Sequence, residues 1–163
     1  MHPAMNLSER RGYYRGAADR WIEGVRLQVE RCNDCRNGES FFDSNFLVVA
    51  VARLREVAHM AKDRAEADLE DALSRFDSKH SEFQDVRNFQ EHILNPELLG
   101  TSMYLRRGDL VRLHASGRAE TLIDPAVLME HSQELYEAIC EALGPPAVPT
   151  QGWSIRPPKK NRR

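Results

Sequence analysis

The stretch from Glu39 to Asn95 contains neither glycine nor proline, and this feature restricts the fold more than any other. Because these two residues most often end helices, the whole stretch can be helical with only polar interruptions. Apolar residues recur at intervals of three and four from Leu47 to Ala61, which indicates a helix. The first half of this helix is apolar on all sides, so we expect it to be the buried central helix.

A helix precedes this stretch, and two more are expected within it. Helical spacing of apolar residues predicts a first helix from about Ser8 to Arg31, followed by a loop at 33–38. Ser40 is a suitable N-cap for the central helix. The apolar pattern changes phase around Asp63, which predicts a shorter third helix carrying Leu69, Ala72, Leu73 and Phe76.

Polar residues from Asp77 to His80 are expected to interrupt the third helix. Ser81-Glu82-Phe83-Gln84 then matches a capping box, in which the Ser and Gln side chains satisfy free backbone N–H groups. We therefore expect a fourth helix from about Ser81 to Leu94, ahead of Pro96.

The pattern after the fourth helix changes to short runs rich in Leu, Val, Tyr and Ile. Runs at 102–106, 110–114 and 118–123, with turn residues between them, predict a small β-meander or hairpin. Asp124 and Pro125 then suit the start of a fifth helix, which Gly144-Pro145-Pro146 ends. The predicted fold class is mainly α: an up-and-down bundle of four to five helices with a small β-hairpin or meander inserted before the C-terminal helix.

The charge is unevenly distributed along the 163 residues. Lys and Arg number 23 and Asp and Glu 25, giving a net charge of −2, yet residues 153–163 contain basic residues and no acid. We therefore expect a folded domain over 1–150 and a basic, disordered tail over 151–163. The tail residues that could bind a nucleic acid or the acidic body, unless they simply aid solubility, are Arg156, Lys159, Lys160, Arg162 and Arg163.

Several classes of protein and site are not indicated. No apolar run approaches the ~20 residues of a membrane-spanning helix, and the N-terminus lacks the apolar core of a secretory signal, so we expect a cytoplasmic protein. Cys32-Asn33-Asp34-Cys35 is a lone C-x-x-C, for which two reduced thiols are expected and a metal shared across a dimer is the alternative. We expect neither a resident metal nor a cofactor, and His59, His80, His114 and His131 show no ligand spacing.

The fourth helix places three reactive side chains away from its apolar face. At about 100° per residue, Val86, Phe89 and Ile93 share the core-facing arc. Arg87, Asn88 and His92 lie on the polar side, and Asn88 and His92 are neighbours at i,i+4. The helix therefore presents an Arg, an Asn and a His to whatever lies opposite.

The string Arg87-Asn88-Phe89-Gln90-Glu91-His92 resembles the motif of the HEPN superfamily, an arginine and a histidine with four to six residues between them, often with a polar residue directly after the Arg. The order of bundle, motif helix, hairpin and terminal helix is also similar to small bacterial members of that superfamily, over about residues 8–144. Some members carry Tyr two residues after the His, where a partner enzyme attaches a nucleotide. Leu94 stands there in this chain, so that form of control is not implied.

The resemblance implies a metal-independent endoribonuclease in which two protomers bring both copies of the motif into one cleft. His92 from each protomer would serve as general base or acid, Arg87 would hold the phosphate, and Asn88 would orient either group. The implied partners are a second copy, RNA and a cognate inhibitor or antitoxin, in a toxin or phage-defence role. Two alternatives stay open: a non-catalytic module that dimerises or binds a nucleotide or protein, and an interaction protein whose tail contacts nucleic acid.

Overall fold

The computed structural model describes residues 5–34, 40–80, 102–106, 109–113 and 119–145, and this part of the chain is mainly helical. Its helices are α1 (Leu7–Asp34), α2 (Ser40–Ala65), α3 (Glu70–Lys79) and α4 (Pro125–Leu143). The predicted fourth helix at 81–94 and the tail at 151–163 lie outside the described residues. No helix of the described ranges is long and apolar enough to cross a membrane.

A capping box that we did not predict starts α1. Asn6 accepts a hydrogen bond on Oδ1 from the Glu9 backbone N–H at 2.9 Å, and its own N–H donates to Glu9 Oε2 at 2.8 Å. These reciprocal bonds satisfy two backbone donors that the first turn would leave unpaired. The helix begins at Leu7 and ends at Asp34, close to the predicted bounds of Ser8 and Arg31.

α1 and α2 run antiparallel and approach each other closely. Near one end Arg11 donates to the Ala65 carbonyl at 3.2 Å, and near the other Arg31 pairs with Asp43 at 3.8 Å. Between them, a Cβ built on Gly24 would lie 3.6 Å from the Ala50 Cβ. This register places the buried faces of the two helices together and leaves α4 to cover one side.

The core lies between α1, α2 and α4, and α3 closes one end of it. The largest fully buried side chains come from α1, α2 and α4 and from Leu69 directly before α3: Ile22, Val25, Leu47, Val48, Val51, Leu54, Leu69, Leu128, Leu135 and Ile139. The expectation that the first half of α2 is buried on all sides is wrong, because Phe46 is 56% and Val49 47% exposed. Among the described residues, α1 and α4 cover only one side of α2, and Phe46 and Val49 lie on the side that they leave exposed.

The break between α2 and α3 falls later than the predicted phase change at Asp63. Helix α2 continues to Ala65, and the chain turns at Glu66, whose φ of 52° is left-handed. Arg11 donates to the carbonyls of Ala65 and Glu66 at 3.2 and 3.5 Å. A side chain from α1 therefore satisfies two carbonyls that the end of α2 leaves free.

The prediction that the third helix is interrupted from Asp77 is wrong, because α3 continues to Lys79. Only His80, the last residue of the predicted interruption, lies beyond the helix. Asp77 and Lys79 remain helical while their side chains pair with Arg55 of α2 and Glu134 of α4. These contacts with neighbouring helices offset the weak helix propensity of the polar run.

The predicted start and end of the last helix are confirmed in α4. Asp124 Oδ1 accepts from the backbone N–H groups of Ala126 at 2.8 Å and Val127 at 3.3 Å, and Pro125 occupies the first turn. Gly144 ends the helix with a φ of 76°, which favours glycine because no Cβ is present to clash. Arg15 of α1 donates to the Gly144 carbonyl at 3.1 Å, so this end is also held from α1.

Three short strands precede α4: β1 (Ser102–Arg106), β2 (Asp109–Leu113) and β3 (Ala119–Ile123). Their backbones pair antiparallel in the order β1-β2-β3, with a register shift at Leu110/Val111. The residues that join these strands lie outside the described ranges. The inserted hairpin or meander therefore stays a prediction.

The same substitution at two glycines should change stability in opposite directions. Gly24→Ala should raise the free energy of unfolding by roughly 0.5–1 kcal/mol, because Ala favours a helix interior and its Cβ would meet Ala50 at ordinary contact distance. Gly144→Ala should lower it by about 1–2 kcal/mol, because an L side chain is strained at the φ of 76°. Urea unfolding measures both, and a destabilised Gly24→Ala variant would contradict the room for a methyl group that the 3.6 Å distance to Ala50 indicates.

Candidate functional site

All the residues that the sequence predicts as a site lie outside the described ranges. This holds for Arg87, Asn88 and His92 and for the tail residues Arg156, Lys159, Lys160, Arg162 and Arg163. The structure therefore neither brings them together nor separates them. It does describe the point from which the motif segment departs, which is His80 at the end of α3.

His80 and His131 meet at the junction of α3 and α4. Nε2 of His80 lies 2.8 Å from Nδ1 of His131, so one ring donates its N–H to the other, and the ring centroids are 4.8 Å apart. Phe76 lies against His80, with 4.8 Å between ring centroids. The sequence shows no ligand spacing for these histidines, yet folding joins this pair from positions 51 residues apart.

Ion pairs hold the same end of α3 to two other helices. Arg55 of α2 donates to both carboxylate oxygens of Asp77, from Nε at 2.6 Å and Nη2 at 2.7 Å. Lys79 donates to Glu134 of α4 at 2.8 Å. The bond from Arg55 lowers the pKa of Asp77, and the bond from Lys79 lowers the pKa of Glu134. The bidentate pair also restricts the angle at which α3 meets α2.

Burial and positive neighbours keep His80 neutral near neutral pH. Burial contributes most, and His131 and Lys79 add charge repulsion, while Asp77 opposes them weakly; together they lower the pKa of His80 to about 4. A neutral imidazole has one donor and one acceptor nitrogen, which suits the bond to His131. The cluster of His80, His131 and the two ion pairs is called the α3 anchor below.

The α3 anchor is suited to positioning rather than to holding a substrate. The space lined by Arg75, His131 and Glu134 has a volume of about 10 Å³, room for about one water molecule. In the ranges that the structure describes, no group of three His, Cys, Asp or Glu side chains could hold a metal ion. The anchor instead determines where the chain leaves α3 toward Ser81.

A larger concave surface lies between α1 and α2. It has a volume of about 790 Å³ and is lined by Tyr13, Tyr14, Ala17, Arg20, Trp21, Arg53, Glu56, Val57, Met60 and Arg64. At 100° per residue, Tyr13 and Arg20 lie on the side of α1 opposite Arg15 and Asp19, which contact α4. We call it the arginine–aromatic groove. Sequence reasoning missed it, although the spacing of Tyr13, Ala17 and Arg20 already placed them on one helix face.

The remaining sequence candidates divide between the core and the undescribed residues. Cys32 is 3% exposed and belongs to the core, whereas Cys35 lies outside the described ranges, so the C-x-x-C pair stays untested. His59 has a buried Nε2 with no hydrogen-bond partner among the residues that the structure describes. His114 also lies outside the described residues.

No family model matches the chain, and comparison with curated proteins and with solved structures gives no significant match. The HEPN resemblance therefore depends on the motif and on the order of the elements. Its consequences for activity and partners are treated below as proposals.

The α3 anchor should make stability depend on pH. The pKa of His80 is about 4 in the folded protein and near 6.5 in an unfolded chain. The contribution of His80 to the free energy of unfolding should therefore be fully present above pH 6.5 and be lost as the pH drops toward 4. The ring is only half-buried and solvent screens its charge, so we expect a loss of about 1 kcal/mol. Urea unfolding at pH 7 and pH 4.5 measures it. Equal losses in the parent and in His80→Gln would show that another group is responsible.

Proposed function

We propose that the protein is an endoribonuclease of HEPN type that cleaves RNA without a metal, at a cleft between two copies of the chain. Arg87, Asn88 and His92 are the residues that carry the reaction. The proposal places the protein in the cytoplasm as a toxin or phage-defence component, with a cognate inhibitor or antitoxin as a further partner. The inserted hairpin belongs to the same proposed architecture.

The α3 anchor is the observation that carries this proposal. Three side-chain contacts, from Asp77, Lys79 and His80, hold the end of α3 to α2 and α4. Ser81 follows directly, and the capping box predicts that a helix starts there. In such a helix Arg87 would lie about 10 Å from His80 along the axis. An anchored start supports the proposal because catalysis requires side chains held in a precise orientation.

In the proposed reaction one imidazole accepts a proton and a second imidazole donates one. His92 removes the proton of a ribose 2′-OH, whose oxygen attacks the adjacent phosphorus. The P–O5′ bond breaks, and His92 of the partner subunit, in its protonated form, donates a proton to the departing oxygen. Arg87 donates to the phosphate oxygens and stabilises the charge that develops on them, and Asn88 orients the imidazole or the phosphate.

A second candidate is a non-catalytic dimerisation module, which exposed apolar side chains of α1 and α2 favour. Leu27 is 45% exposed, and the antiparallel register places it level with Phe46 and Val49, which are also exposed. Clustered apolar side chains on a surface mark protein contacts more often than isolated ones do. A dimer that does not cleave RNA would fit this candidate.

Cleavage assays with motif variants test the proposal. Purified protein is incubated with single-stranded RNA in the presence of a chelator, and fragments are resolved on a denaturing gel. Because base, acid and phosphate contact are each needed, His92→Ala and Arg87→Ala should lower the cleavage rate by about 100-fold or more. Arg75→Ala and His114→Ala, which replace the same residue types outside the motif, should keep the parent rate.

The outcomes separate the candidates. Cleavage that is equal in the parent and in both motif variants would remove the proposed mechanism. A sedimentation mass of one chain per particle would leave one His92 per site and contradict the two-imidazole scheme. A stable dimer with no cleavage of any RNA offered would favour the non-catalytic module instead.

A further inference from the structure

The arginine–aromatic groove combines size, charge and planar side chains in one concave surface. Its volume of about 790 Å³ falls in the range of sites that bind small organic ligands. Both walls are single helices whose register is determined by the close contact near Gly24 and Ala50. The lining residues are therefore held by the same packing that forms the core.

Two of the arginines that line the groove have no hydrogen-bond or ion-pair partner within the described part of the chain. Arg53 donates to Glu56 at 2.5 Å, so these two charges offset each other. Arg20 and Arg64 form no hydrogen bond or ion pair with another described residue. Three arginines and one glutamate line the groove, which gives it a formal charge of +2. Guanidinium groups that no described residue pairs favour an anionic ligand, and their planar fork matches the oxygens of a phosphate or a carboxylate.

The aromatic side chains offer surfaces for a planar group. Tyr13 is 58% exposed, and its ring packs edge to face on the buried Tyr14, with 5.3 Å between centroids and 80° between planes. Tyr14 therefore restricts the orientation of an aromatic ring that solvent can still reach. Trp21 lines the same groove two turns further along α1 and is half-buried. Accessible aromatic rings beside arginines that no described residue pairs are a combination that binds unpaired bases and their phosphates.

We propose that the arginine–aromatic groove binds a nucleotide, with the base stacked on Tyr13 or Trp21 and the phosphate held by Arg20 and Arg64. The nucleotide is either free or one unit of a single RNA strand, since both present the same base and phosphate. None of the residues that line the groove belongs to the Arg87–His92 motif, so the inference does not depend on the proposed cleavage. The chain's own basic tail is a poor occupant, because its five Lys and Arg side chains repel a positive groove.

Trp21 allows binding to be measured directly. The chain has two tryptophans, so Trp153→Phe leaves Trp21 as the only one in the full-length protein. Its fluorescence is titrated with uridine monophosphate, a ten-residue oligouridylate and inorganic phosphate at low salt. Stacking beside Trp21 should quench its emission with both nucleotides but not with phosphate alone. Tighter binding of the oligonucleotide identifies an RNA strand as the ligand, and equal binding identifies a free nucleotide.

Groove variants in the same background test the assigned contacts. Arg20→Gln/Arg64→Gln should weaken binding about tenfold or more and, for the oligonucleotide, reduce the slope of log K against log salt by about 1.4, since each lost phosphate contact contributes about 0.7. Tyr13→Ala should weaken binding at least about fivefold. Arg75→Gln, an exposed arginine on α3, is the matched control and should bind like the parent. Circular dichroism checks that every variant is folded.

Four results would overturn the inference. The first is the absence of quenching by either nucleotide. The second is unchanged affinity in the folded arginine and tyrosine variants. The third is quenching by phosphate as strong as by the nucleotides. The fourth is a groove variant that changes the sedimentation mass but not the titration, which would assign the groove to a second copy of the chain.

Discussion

The antiparallel contact between α1 and α2 is the constraint on which the rest of the structure depends. Small residues at its centre, Gly24 and Ala50, allow the two backbones to approach closely. The larger side chains of α1 and α2 lie on the two sides of this contact between the helices. On one side they form the core with α4, and on the other they form the walls of the arginine–aromatic groove. The core and the proposed binding surface therefore arise from the same interaction.

Polar contacts determine how the smaller elements join this pair. Arg11 reaches the end of α2, Arg15 reaches the end of α4, and the α3 anchor joins α3 to both α2 and α4. Each arginine places its charge beside backbone carbonyls or a carboxylate that helix geometry leaves available. These contacts are partly exposed, so each adds little to stability. Their consequence is geometric, because they define where and in what direction the chain enters and leaves the bundle.

The departures from expectation share one physical cause. The end of α2, the end of α3 and the exposure of Phe46 and Val49 each depend on a neighbouring helix that a periodic pattern does not identify. Local propensity predicted a break at Asp77, but the ion pair with Arg55 and the contact between His80 and His131 keep α3 helical to Lys79. The capping box at Asn6 is different, because its Asn-x-x-Glu spacing was present in the sequence and was overlooked.

The sequence by itself determined the helical class, the approximate bounds of α1 and the start and end of α4. Those features depend on apolar periodicity and on capping residues, which act within a few positions of one another. Only the tertiary structure decided that His80 meets His131, that Arg55 holds Asp77, and that Tyr13, Arg20 and Arg64 line one groove. These groupings join residues from different helices, and helix register is set by core packing, which a single sequence does not display. The roles of Arg87, Asn88 and His92 stay predictions of the sequence, because these residues lie outside the described ranges.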